Sequence, residues 1–173
     1  HWPGERWLDI RSPKVMEIMQ ARIDLAQQKK CDAVDPDNVD VATNHSGFPI
    51  TLDQQLGYIR GLADSAHTDG LAMGLKNDVE QIPQLVGKVE FTVNEECFKY
   101  NECDTLKPFT DAGKPVLQIE YGKAKKAHKI CPEANDLGFA TLIKKLNLGA
   151  KLIACTDRPQ AKSAIKAGRR HGR

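Results

Sequence analysis

Carboxylates stand where short apolar runs end in this sequence. Asp35, Asp37 and Asp40 follow the run Cys31-Asp32-Ala33-Val34, Glu95 and Glu96 follow Val89–Val93, and Glu120 follows Pro115–Ile119. Two acids that face each other can divide one reaction: a protonated carboxyl assists a leaving oxygen while an ionised one acts as nucleophile or base. Crowding assists that division, because neighbouring negative charges push carboxyl pKa values apart. Glycosidic cleavage requires such a pair. Other chemistries lack their residues. The Asp35-Pro36-Asp37 spacing also serves metal-dependent sugar transfer, but it is too common to weigh. A calcium loop would need an oxygen ligand at position 39 and a glycine at 40, where Val39 and Asp40 stand. No Gly-x-Ser-x-Gly anchors a serine nucleophile, and no glycine-rich phosphate loop follows a strand. The histidines are scattered, so neither a metal nor a cofactor is expected.

The thiols point to an oxidising compartment. Five cysteines is a high count for 173 residues, and none forms Cys-x-x-Cys, which argues against a zinc ribbon or a redox motif. Cys97 and Cys103 flank the short polar stretch Phe98 to Glu102 and are expected to close it as a disulfide, with Cys131 and Cys155 as a second pair. Asn44-His45-Ser46 is an N-glycosylation sequon in a loop-like segment. The chain carries no start Met and no secretory signal, and is read as a processed or truncated product that is secreted and extracellular.

The elements that must carry the acids alternate. Ser12-Pro13 opens an amphipathic helix to Lys30, and Thr51 with Gln54 forms a capping-box pattern for a helix to Asp69. Shorter helices are expected over Val79–Val86, Leu106–Ala112 and Glu133–Leu146, and strands at Asp32–Val34, Leu71–Leu75, Val89–Val93, Val116–Ile119 and Leu152–Cys155. That is a series of five βα units with a parallel sheet, so every strand end lies on one rim. Met73 and Leu75, Phe91 and Val93, and Leu117 and Ile119 are expected to pack under helices. Gly74 and Lys76, Thr92 and Asn94, and Gln118 and Glu120 would then face a barrel lumen. An open doubly wound sheet should be apolar on both sides, so a (β/α)8 barrel, incomplete in this chain, is favoured.

Composition excludes more than it identifies. Charged residues make up 28% and hydrophobic residues 40%, and no apolar run reaches the ~18–20 residues of a spanning helix. A formal net charge of +2 gives no reason to expect nucleic acid as a partner. Residues 1–156 read as the barrel domain and 157–173 as a basic, flexible tail.

Four blocks together resemble glycoside hydrolase family 114, the endo-α-1,4-polygalactosaminidases and spherulin-4-like proteins. They are Trp7-Leu8-Asp9-Ile10-Arg11-Ser12-Pro13, the acidic block from Cys31 to Asp40, Gly74-Leu75-Lys76-Asn77 and Asn94-Glu95-Glu96-Cys97. The likeness runs from about residue 5 to about residue 156. It implies a TIM barrel, secretion and hydrolysis of α-1,4-linked, galactosamine-rich polysaccharide. It also implies that Asp37 and Glu95 are the catalytic carboxyls, whereas strand parity points Glu96 inward instead. Asp35, Asp40, Lys76, Asn77, Asn94, Glu96 and Glu120 are then the substrate-binding candidates. Asp37 is expected ionised, with Lys76 to hold it so, and Glu95 protonated. An acidic rim would attract a polymer that carries ammonium groups. The family barrel has three strands ahead of the Trp-Leu-Asp-Ile block that this chain lacks, and Asp35 stands where the family commonly has Glu.

Overall fold

The structure, a computed structural model, describes residues 4–155. Six strands form one sheet in the order of the chain: β1 (Ala33–Val34), β2 (Ala72–Lys76), β3 (Phe91–Glu95), β4 (Val116–Tyr121), β5 (Ala140–Lys144) and β6 (Leu152–Ala154). Neighbours from β1 to β5 are parallel, and the sheet does not close on itself. Six α-helices accompany them, α1 (Pro13–Gln28) ahead of β1 and, between strands, α2 (Leu52–Thr68), α3 (Ile82–Leu85), α4 (Cys97–Tyr100), α5 (Lys107–Asp111) and α6 (Ala127–Asp136). Thr51 caps α2 as its sequence suggests: its hydroxyl accepts from Gln54 N–H at 3.2 Å, and Gln54 Oε1 accepts from Thr51 N–H at 3.0 Å. The segment expected as a tail, 157–173, lies outside the described residues.

Three expectations are corrected. The helix expected over Glu133–Leu146 ends at Asp136, and its second half is a strand. Gly138, at φ 77°, supplies the left-handed turn, and the N–H groups of Gly138 and Phe139 satisfy the last carbonyls at Asn135 and Ala134. The fifth parallel strand is therefore Ala140–Lys144. The strand expected at Leu152–Cys155 is an antiparallel return, with Ile153 opposite Ile143. The connection between them, 145–151, is shorter than the roughly dozen residues a parallel crossover needs.

The third correction concerns which way β3 and β4 face. Parallel register pairs Gly74 with Phe91, Lys76 with Val93, Val93 with Leu117 and Glu95 with Ile119. These residues share one side, the lumen side. The helix side of β2 carries Met73 and Leu75, each 0% exposed against Ile59, Leu62 and Ala66 of α2. On β3 and β4 that same side carries Thr92, Asn94, Gln118 and Glu120, all fully buried. Two of them, Asn94 and Glu120, supply acceptors to the turn above; Thr92 donates to the carbonyl of Leu75 at 2.8 Å and Gln118 to Glu120 Oε1 at 2.9 Å. Asn94 Oδ1 takes the N–H of Cys97 at 3.2 Å and Glu120 Oε1 that of Phe98 at 3.0 Å, two of the orphan donors that open α4.

Gly74 marks the tightest approach on the lumen side. A Cβ there would strike the Phe91 ring and lie 3.0 Å from Asp35 Oδ1. Gly74→Ala should therefore lower stability by about 1–3 kcal/mol. The check is the midpoint of chemical denaturation; an unchanged midpoint would mean that Phe91 and Asp35 yield without cost.

Candidate active site

Lys76, Glu95 and Tyr121 are the last residues of β2, β3 and β4, and Asp35 and Asp37 follow β1. Consecutive parallel strands thus deliver them to one rim. The chain turns away sharply after each strand. Asn38, Asn77, Asp78 and Glu96 all have positive φ, at 55°, 51°, 44° and 65°. Such turns cost of order 1 kcal/mol each and are tolerated most readily by Asn and Asp. Their partners fix them. Asn77 Oδ1 accepts the N–H of Glu95 at 2.9 Å, and Asp37 Oδ1 accepts that of Asn38 at 2.9 Å.

The centre of the site is an ammonium. Lys76 is 8% exposed, and its Nζ lies 2.7 Å from Asp37 Oδ1 and 3.2 Å from Glu95 Oε2. Burial alone would push its pKa down. The hydrogen bond that Lys76 donates to Asp37 and the charges of Asp37 and Glu95 outweigh burial, and the net shift is upward. Desolvation pushes Asp35 up; Lys76 pulls it back, and the charges of Asp37 and Glu95 raise it further. Asp40 is raised by desolvation against hydrogen bonds from the chain and Asn44 and the charge of Lys76. A cavity of about 550 Å³ is lined by Asp35 and Asp37 together with Trp7, Ile10, Tyr58 and Leu62.

The structure brings together Asp35, Asp37, Lys76, Asn77 and Glu95 of the residues expected from sequence, with Asp40 near enough to feel the charges of Lys76 and Asp37. It separates three others. Asn94 and Glu120 lie on the helix side, where they accept from α4, and burial raises the Glu120 pKa. Glu96 turns to Lys99, at 2.7 Å, so parity's inward glutamate does not meet Lys76. Among the described residues, no group of three or more His, Cys, Asp or Glu is arranged to hold a metal ion. Disulfides join Cys97 to Cys103 around α4 and Cys131 of α6 to Cys155 beyond β6, and Cys31 is a free, exposed thiol.

Two residues of the site carry no clear signal in the sequence. Tyr121 donates its hydroxyl to Glu95 Oε1; placing Ile119 on the lumen side would have found it two residues on. Asp78 is 2% exposed, and its Oδ1 accepts from Gln55 Nε2 at 2.7 Å. Gln55 in turn accepts the N–H of Ala42 at 2.7 Å and so ties α2 to the loop after the acidic block.

Residues 1–160 match the family model of glycoside-hydrolase family GH114. The crystal structure of Aspergillus fumigatus Ega3 in complex with galactosamine superposes with a TM-score of 0.84 at 39% identity, covering 89% of this chain and 66% of that one. The chain thus spans just under two thirds of the length of Ega3. The glycoside hydrolase domain of PelA from Pseudomonas aeruginosa shares the fold at 13% identity, with a TM-score of 0.62 and coverage of 88% and 70%. The N-acetylneuraminic acid synthetase of Leptospira borgpetersenii serovar Hardjo-bovis does so at 14% identity, with a TM-score of 0.54 over 75% of this chain and 48% of that one. No curated protein matches the chain.

Asp78 gives this rim a pH dependence of stability. Burial, then the charges of Asp40 and Glu80, push its pKa from 3.8 to about 7, against the Gln55 hydrogen bond. A folded acid with a raised pKa holds its proton longer than the unfolded chain does. Its contribution is therefore full below pH ~4 and is lost as pH rises through about 7. Asp78→Asn should leave the melting temperature at pH 4 nearly unchanged and raise it at pH 8, by about 2–4 °C per kcal/mol recovered. A variant that melts lower at pH 8 would show that the charged form is the one the fold requires.

Proposed function

Since the chain belongs to glycoside-hydrolase family GH114, we propose that it forms the catalytic rim of a secreted, endo-acting glycosidase that hydrolyses α-1,4-linked, galactosamine-rich polysaccharide. The observation that carries this reading is Lys76 Nζ in contact with both Asp37 and Glu95 at the ends of neighbouring strands. Asp37, nearer the ammonium, is the anion that attacks the anomeric carbon. Glu95 has the less exposed side chain, 33% against 61%, and gives its proton to the departing oxygen, then activates the water that completes hydrolysis.

One ammonium touching both acids also limits their spacing. The two contacting oxygens cannot lie farther apart than contacts of 2.7 and 3.2 Å laid end to end. A carboxyl separation of about 5–5.5 Å is compatible with that limit on the nearest oxygens, and the proposed route is the retaining one, with a covalent glycosyl intermediate on Asp37. The substrate reading rests on charge and on the relative. Asp35 and Asp37 line the cavity and Asp40 and Glu95 lie near enough to interact with Lys76, an acidic cluster suited to a polymer with ammonium groups, and Ega3 was crystallised with galactosamine. Two disulfides suit secretion. The open sheet, which leaves Leu117 40% exposed, favours a second reading of the chain by itself: it binds polysaccharide, and cleavage waits until the barrel is closed.

Partly deacetylated galactosaminogalactan, incubated with the chain and with the chain extended to a closed barrel, separates these readings by mass spectrometry of released oligosaccharides. In the closed barrel, Glu95→Gln should cut release about 10²–10⁴-fold and Asp37→Asn at least as much, with polymer binding kept. Glu96→Gln should stay within a few-fold of the parent. The first product seen by NMR should be the α-anomer; initial β-product would contradict the retaining route.

A further inference from the structure

Tyr121 holds the carboxyl of Glu95 at the oxygen that Lys76 does not touch. It closes β4 on the lumen side of the sheet, half-buried, and its hydroxyl donates to Glu95 Oε1. The other oxygen, Oε2, is the one 3.2 Å from Lys76 Nζ, and the backbone N–H of Glu95 is held by Asn77. A glutamate carboxyl has a broad, two-fold terminal torsion, so the strand end alone does not decide which oxygen faces the cleft. A donor fixed to Oε1 does decide it. Burial, the hydrogen bond to Glu95 and then the charges of Glu95, Glu96 and Asp37 keep the tyrosine proton in place well above neutral pH, so this hydroxyl donates and does not act as a base.

We propose that Tyr121 is the positioning residue for Glu95: it reserves Oε1 and leaves Oε2 to transfer the proton. The inference rests on the reading of Glu95 as the proton donor. In the first half-reaction the Oε2 proton moves to the glycosidic oxygen as the bond from that oxygen to C1 breaks and Asp37 bonds to C1. Glu95 is left as a carboxylate, and Tyr121 keeps its own proton throughout. A hydrogen bond to an ionised acceptor is stronger than one to a neutral acid, so the hydroxyl stabilises the state in which the proton has left. Its effect is largest where the leaving group needs that proton.

The test compares two substrates in the closed-barrel protein: an α-1,4-linked galactosamine oligosaccharide, and α-galactosaminyl fluoride, whose leaving group departs without a proton. Tyr121→Phe should lower kcat/KM for the oligosaccharide about 10–10²-fold, mainly through kcat, and for the fluoride no more than about threefold. In a Glu95→Gln background the same substitution should cost nothing further. Equal losses on both substrates, or an undiminished loss in the Glu95→Gln background, would overturn the proposal and make Tyr121 a structural residue. A Glu95→Gln variant of full activity on the oligosaccharide would instead remove the reading beneath it. Should Tyr121→Phe fold poorly, Tyr121→His, which restores a ring donor, should recover part of the oligosaccharide rate without changing that on the fluoride, and an equal recovery on both would count against it.

Discussion

The Lys76 ammonium joins the ends of three strands, and the rest of the rim is arranged around it. A buried charge is costly unless it is paired and hydrogen-bonded. Here the pairing partners come from other strands, Asp37 beyond β1 and Glu95 at the end of β3. Register follows from that requirement. A slip of one residue in either neighbour would turn its acid to the helix side and leave the ammonium unpaired in low dielectric. Asn77, beside Lys76 in sequence, adds a second tie by accepting the N–H of Glu95. The contact that places the two acids thus also penalises misaligned strands.

Polar groups on the far side of the sheet support this arrangement without taking part in it. Asn94 and Glu120 look catalytic by composition, yet they accept the first N–H groups of α4, a four-residue helix that cannot satisfy them itself. The Cys97–Cys103 disulfide closes the same short helix. Gln55, Asp78 and Gln81 form a separate buried network at α2, where Gln55 donates to Asp78 and Gln81, and Gln81 donates to the carbonyl of Leu52 at 2.8 Å. Left-handed residues after the strands give the chain its sharp exit from the rim. The polar core thus supports turns, while the lumen side of β3 and β4 carries Phe91, Val93, Leu117 and Ile119 below Glu95 and Tyr121.

Much of this was legible in the residues. The βα alternation, the Thr51 capping box and the gathering of Asp35, Asp37, Lys76 and Glu95 at strand ends follow from local patterns that the fold respects. What was not legible depended on tertiary context. Ala140–Lys144 continues an apolar helical pattern from Glu133, and only the left-handed turn at Gly138 breaks it. The faces of β3 and β4 read backwards because buried polar residues normally signal a lumen or solvent. Here Asn94 and Glu120 serve as acceptors for the start of α4, and Thr92 and Gln118 donate to a carbonyl and to Glu120, roles that a sequence does not display. Tyr121 was hidden by that same reversal, since its role depends on which side of β4 faces Lys76.

The central claim is that one ammonium makes two acids a single catalytic unit. Its most direct measurement is the initial rate of oligosaccharide release by Lys76→Met in the closed-barrel protein, read beside the melting temperature. Asp37 and Glu95 both reach solvent, so the variant should fold with a melting temperature close to that of the parent. The rate should fall about 10²–10³-fold, the loss seen when a preorganised charge partner is removed from an active site. A folded Lys76→Met protein that cleaves the polymer within threefold of the parent rate would contradict the account.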